Sequence, residues 1–199
     1  MMTNGVMPHV LANLCSIFGS RLIHFSTDCV FQGDIGNYIE SDEPNPSDIY
    51  GKSKLCGEVL YPHTLTLRTS IIGRELYNFH GLLEWFLRST GEVNGYLNAM
   101  FSGLTTVEVA HVLRSHVLLR KDLSGLYHLG GQKISKYDLL LLIKNEFGLE
   151  TAVTGVSTPI IDRTLDTSAF SKMSGYCAPT WSELISNLRA FSMEFGYVS

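Results

Sequence analysis

Short apolar runs bounded by polar residues alternate with capped helical stretches along this chain. That alternation restricts it to an α/β fold built on a parallel sheet. Residues 6–18 read as a helix, with Pro8 in its first turn and Gly19 as its stop. Residues 21–25 read as a buried strand that ends at the polar cluster Ser26-Thr27-Asp28. Residues 32–48, rich in Gly, Pro, Asn and Asp, form a long loop of the kind that is usually functional when ordered. A helix is expected over 47–60, a strand over 65–72, a helix over 80–89 and a short strand over 126–129. Three capping boxes open later helices: Thr105 with Glu108, Ser135 with Asp138, and Thr180 with Glu183.

Composition narrows the function classes. Fifteen basic against 19 acidic residues leave a net charge of −4, which argues against a general nucleic-acid binder. With 45% hydrophobic and 17% charged residues, the 199-residue chain can bury a core and is not disordered. Apolar runs such as residues 139–143 fall far short of a membrane span, and no export signal opens the sequence. The four cysteines form no CxxC pair and are expected as free thiols in a cytoplasmic protein. No metal is expected: there is no HxxxH or HExxH pair, and His111 and His116, five apart, should not share a helix face. Ser26, Ser53 and Ser70 lack a GxSxG elbow. Trp85, with Leu82, Leu83 and Phe86, reads as core or subunit contact rather than a cofactor box.

Chemistry concentrates at three positions. Tyr50 and Lys54 stand four apart on one helix face, where an ammonium beside a phenol favours the phenolate and lowers its pKa. Such a tyrosine can exchange a proton with a carbonyl or alcohol oxygen. Thr27 ends a strand at the carboxyl edge of the sheet, where open α/β proteins bind ligands. The plain alternatives are a solvated Tyr–Lys pair, and Ser26 and Thr27 serving only as local caps.

Residues 25–60, FSTDCVFQGDIGNYIESDEPNPSDIYGKSKLCGEVL, resemble the extended short-chain dehydrogenase/reductases, and most closely their dTDP-4-dehydrorhamnose reductase branch. The hallmark of that branch is STDxVFxG, an acidic Pro-rich loop, then YGxSKxxGE. The likeness continues through LRTSIIG (67–73), SGLTTVEVA (102–110), GLYHLGG (125–131) and LDTSAF (165–170). It implies hydride transfer from NADPH or NADH to the keto group of a nucleotide-linked 4-keto-6-deoxysugar, in surface-polysaccharide precursor synthesis. It makes Tyr50 the general acid and Lys54 the residue that lowers its pKa and binds the nicotinamide ribose. Thr27 would orient the substrate carbonyl, and Ser26, Thr69 and Ser70 would lie by the nicotinamide. Asp28, Cys29, Ile71 and Arg163 would face the substrate. Cys29 and Ile71 stand where the branch usually has aromatic residues, so the sugar is as plausibly another UDP- or dTDP-deoxysugar. Arg163 suits a diphosphate, the alternative being a surface salt bridge to Asp162 or Asp166.

The resemblance implies a partial Rossmann-type parallel sheet, strands four onward, with a small C-terminal substrate-binding lobe. Residues 1–79 and about 103–130 fall in the sheet half, and about 80–102 and 131–199 in the lobe. No GxGxxG or GxxGxxG occurs, so the turn that holds the dinucleotide phosphates is expected outside this sequence. A misassigned start, a fragment, and a short protein completed by a homodimer or partner chain are the open explanations. Each leaves strand four as an exposed edge and the isolated chain inactive. A non-catalytic sugar-nucleotide-binding or regulatory module, and an epimerase or dehydratase of the same fold, are the alternative functions.

Overall fold

In the computed structural model, which describes residues 1–77 and 79–196, a π-helical turn (Met2–Val6) leads into helix α1, Met7–Ile17. Strand β1 (Leu22–Thr27) follows, then helix α2 (Ile49–Leu55) and strand β2 (Thr64–Thr69). The chain continues through β3 (Ile71–Ile72), α3 (Leu82–Leu87), β4 (Glu92–Tyr96), β5 (Ala99–Phe101), β6 (Leu104–Thr105) and α4 (Thr106–Val112). Strand β7 (Gly125–His128), β8 (Ile134–Ser135), α5 (Lys136–Phe147), β9 (Ala152–Val156), β10 (Ile161–Asp162), α6 (Ser168–Ser174) and α7 (Trp181–Glu194) complete it.

The principal sheet is parallel, in the order β1-β2-β7. Strand β2 is central and all six of its residues are buried. Its threonines survive there because their hydroxyls are satisfied: Thr64 and Thr66 both donate to the Val59 carbonyl, at 3.1 and 2.7 Å. Strands β1 and β7 are the outer strands, and α1 exposes Val10, Leu11, Leu14 and Ile17.

Several boundaries differ from the sequence reading for local reasons. Helix α2 starts at the Asp48 cap, whose carboxylate accepts from Gly51 N at 2.7 Å, and it stops at Leu55 rather than 60. Beyond it Gly57 is pressed against the Asn4 carbonyl, where any Cβ would overlap. The expected strand 65–72 is broken at Ser70, so that Ile71–Ile72 pairs with β6 instead. Of the three capping boxes only Thr180–Glu183 closes in both directions. Thr105 caps Glu108 N, but the Glu108 carboxylate accepts from Tyr176 Oη at 3.0 Å, while Ser135 and Asp138 bond each other. His111 and His116 do share a face. A π-helical turn at Leu113–Val117 has the five-residue reach that an α-helix lacks, and it brings their rings to 6.1 Å.

Strands β4, β5, β8, β9 and β10 were not legible in the sequence. They form a parallel pair β4-β9 and a small mixed sheet β10-β5-β8, each two to five residues per strand. One apolar core nevertheless runs from Leu65 and Leu67 on β2, through Leu139 and Ile143 on α5, to Leu184 and Leu188 on α7. The expected sheet half and lobe thus share a single interior. Asn78 and residues 197–199, which fall in the expected halves, lie outside the described residues.

Candidate active site

Strand β1 ends at Thr27, and the next residues turn into a 3₁₀ segment, Asp28–Val30, because Thr27 Oγ1 accepts from Cys29 N at 3.2 Å. The local capping role is real, and it fixes the hydroxyl at the carboxyl end of the sheet. Helix α2 is held against this turn by Gly51, where a Cβ would overlap the Cys29 carbonyl oxygen. The neighbouring Tyr50 is therefore set beside Thr27. A groove of about 390 Å³ is lined by Ser26, Thr27, Tyr50, Lys54, Thr69 and Ser70, together with Phe25, Asp28, Cys29 and Ile71. Residues far apart in sequence are brought together here as the spacing suggested.

The electrostatics of the pair differ from expectation. Lys54 Nζ donates to the Phe25 carbonyl at 2.5 Å, anchoring α2 to β1. Tyr50 is pushed above the ordinary phenol range, chiefly by burial, with the negative groups of Cys29, Asp28 and Asp48 adding to it and the Thr27 hydroxyl partly offsetting it. The expected lowering by Lys54 does not occur, and at neutral pH Tyr50 is a neutral phenol, the form that donates a proton. Lys54 itself is lowered by burial, with Glu58 partly restoring it. Burial likewise raises the Asp28 carboxyl, against bonds from Thr27 and Cys29.

Asp28, Cys29, Ser70 and Ile71 form a wall common to this groove and to a chamber of about 290 Å³. The remaining chamber walls are mostly apolar and come from the small strands, including Ala99, Met100, Phe101 and Ile161, with Pro159. Arg163 enters from the loop after β10. Its Nε donates to the Phe31 carbonyl at 2.9 Å and its Nη1 lies 3.7 Å from Cys29 Sγ. It bridges neither Asp162, which pairs with Lys133, nor Asp166, which accepts from Ser168 N. The nearest carboxylate to its Nη2 is that of Asp48, at 4.0 Å.

A buried polar network supports the groove; of its members the sequence reading gave a role only to Ser26, beside the nicotinamide, and its hydroxyl is engaged by Glu58 instead. Ser26 Oγ donates to Glu58 Oε1 at 2.6 Å, and Arg68 makes a two-pronged bond to the same carboxylate at 2.8 Å per arm. The Arg68 guanidinium also lies over the Phe31 ring, which stacks on Tyr38 at 4.1 Å. Tyr38 O in turn bonds His128 Nδ1 at 2.9 Å. Glu58 closes the YGxSKxxGE stretch, Ser26 opens STDxVFxG, and Arg68 and His128 fall in LRTSIIG and GLYHLGG. Tyr96, Phe101 and Lys136 in the chamber had no signal at all.

The family model for the RmlD substrate binding domain matches residues 1–191. The chain belongs to that family. Among curated relatives of this RmlD-domain chain, the spore coat polysaccharide biosynthesis protein SpsK of Bacillus subtilis (strain 168) is 30% identical over 86% of the chain. The chain spans only 62% of that protein. The dTDP-4-dehydrorhamnose reductase of Aggregatibacter actinomycetemcomitans is 28% identical, covering 92% of the chain and 70% of the relative. A crystal structure of dTDP-4-dehydrorhamnose reductase from Bacillus anthracis str. Ames in complex with NADP shares the fold, with a TM-score of 0.81 at 23% identity. That likeness covers 95% of this chain and 72% of the other. Among the described residues, no helix of the RmlD-domain chain is long and apolar enough to cross a membrane.

Proposed function

We propose that this chain carries the catalytic and substrate-side part of an oxidoreductase that reduces a nucleotide-linked 4-keto-6-deoxysugar with NADPH or NADH. The observation that carries this reading is the convergence of Thr27, Tyr50 and Lys54 on a groove whose far wall opens into an apolar chamber with one arginine. The names of the relatives, dTDP-4-dehydrorhamnose reductase and a spore coat polysaccharide protein, agree with it.

The groove fits the nicotinamide-ribose end of the cofactor by its donor set: the Tyr50 phenol, the Lys54 ammonium, and the Thr69 and Ser70 hydroxyls at the end of β2. The cofactor, when bound, supplies a hydride to the carbonyl carbon. Tyr50, a neutral phenol at neutral pH, gives its proton to the carbonyl oxygen as that carbon is reduced. The Thr27 hydroxyl holds the same oxygen, and Lys54 stabilises the tyrosinate left behind. Asp28, Cys29 and Ile71 face the sugar where groove and chamber meet, and Arg163 pairs with the diphosphate. Residues 80–102 and 131–196 act as the substrate lobe.

The cradle for the dinucleotide phosphates is assigned to polypeptide paired with the outer edge of β1, where α1 presents its apolar residues. The test joins this chain to the N-terminal part of SpsK and follows NADPH oxidation with a dTDP-linked 4-keto-6-deoxysugar. Turnover that disappears in Tyr50→Phe supports the reading. A folded fusion that binds NADPH yet oxidises none of it in the presence of the keto sugar sinks it.

A further inference from the structure

The sugar chamber continues past its own walls. Leu82, Tyr96 and Lys136 line both it and an outer cavity of about 320 Å³ that also includes Trp85, Glu92 and Leu140. At about 290 Å³ the chamber sits at the lower bound of pockets that enclose a drug-sized ligand, roughly 300 Å³. A sugar fits inside it, and the rest of a nucleotide sugar must leave through a neck.

Lys136 stands at such a neck. It is the first residue of α5, is half-buried, and makes no hydrogen bond or ion pair among the described residues. The other lysines near the groove and chamber are engaged: Lys54 with the Phe25 carbonyl and Lys133 with Asp162. A lysine that lines two adjoining cavities and holds no carboxylate has its charge free for a bound anion. The facing carboxylates place that anion. Asp28 lies on the groove side of the chamber beside Thr27 and Cys29, and Glu92 lies in the outer cavity, where it accepts from Thr154. Between them Arg163 and Lys136 are the two cations of the chamber.

Resting on the proposed nucleotide-sugar reading, we propose that Lys136 binds the diphosphate at the neck and that the outer cavity takes the nucleoside, against the Trp85 and Tyr96 rings. The site then selects nucleoside diphosphates over monophosphates and free nucleosides. Trp85, a core or contact residue in the sequence reading, is 43% exposed and becomes a reporter of that cavity.

The experiment titrates the chain with dTDP, UDP, dTMP and thymidine by calorimetry, and follows tryptophan emission alongside. Expected are binding of at least one diphosphate, a loss of about tenfold in its affinity in Lys136→Met, and recovery in Lys136→Arg. Thymidine affinity should be the same in all three proteins, and diphosphate binding should change an emission signal that is missing in Trp85→Phe. If the diphosphate binds equally well to Lys136→Met, or leaves Trp85 emission untouched, the assignment is wrong while the nucleotide-sugar reading stands. If the folded wild-type chain binds neither dTDP nor UDP, that reading fails first.

Discussion

The groove at the end of β1 and the chamber beyond it share a wall, yet they are built in opposite ways. The groove comes from one stretch of chain, residues 25–71, in which a strand, a capped turn and a short helix place Thr27, Tyr50 and Lys54 by local rules. The chamber takes its walls from loops and two- to five-residue strands spread from Asp28 to Arg163. A contiguous site keeps its chemistry under local control, whereas a dispersed site moves whenever the core that joins its pieces is repacked. The proposed function puts reaction chemistry in the first and substrate selection in the second.

The largest expected effect sharpens that division. Tyr50→Phe in the SpsK fusion should lower kcat by about 10²- to 10⁴-fold with little change in KM, because only the proton donor is removed. Its pH profile follows from the raised phenol. An acid must be protonated to act, so reduction should hold through the neutral range and decline only above about pH 10.

Next comes the support beneath the groove. Arg68→Met leaves the Glu58 carboxylate buried and unpaired, with both partners less than a tenth exposed, and should cost about 3–5 kcal/mol in urea unfolding. Arg163→Met tests the chamber: KM for the nucleotide sugar should rise about tenfold while kcat holds. If kcat fell as far as in Tyr50→Phe, the division between groove and chamber would break.

The smallest effect lies on β1, at His24. Burial and the nearby Lys54 lower His24 to about 4 from its usual value near 6.5. The unfolded chain therefore binds more protons between those values, so stability rises with pH across that window and is lost as pH falls through it. His24→Leu should flatten the slope, read as the urea midpoint at pH 5 against pH 7.5. An unchanged slope would place the titration elsewhere.

How much was legible follows the same boundary. The alternation of strands and helices, the helix-opening Thr105, Ser135 and Thr180, and the Thr27–Tyr50–Lys54 constellation were readable, because each depends on a few neighbouring residues and a fixed period. Strands β4, β5, β8, β9 and β10 were not, since runs this short carry no period and gain stability only from a partner strand remote in sequence. The face shared by His111 and His116 required a π-helical turn that spacing does not announce.

The sequence by itself determined the fold class and the helix-opening caps, and it singled out Thr27, Tyr50 and Lys54 as the candidate reacting groups. Tertiary structure alone decided that the Tyr50 phenol is shifted upward rather than downward, because desolvation depends on everything packed around it rather than on the lysine four residues away. It also decided that Arg163 turns toward Cys29 and Phe31 instead of its acidic neighbours, and that Lys136 reaches the chamber. Both placements depend on how the short strands fold back over β2, a long-range packing that no local pattern encodes.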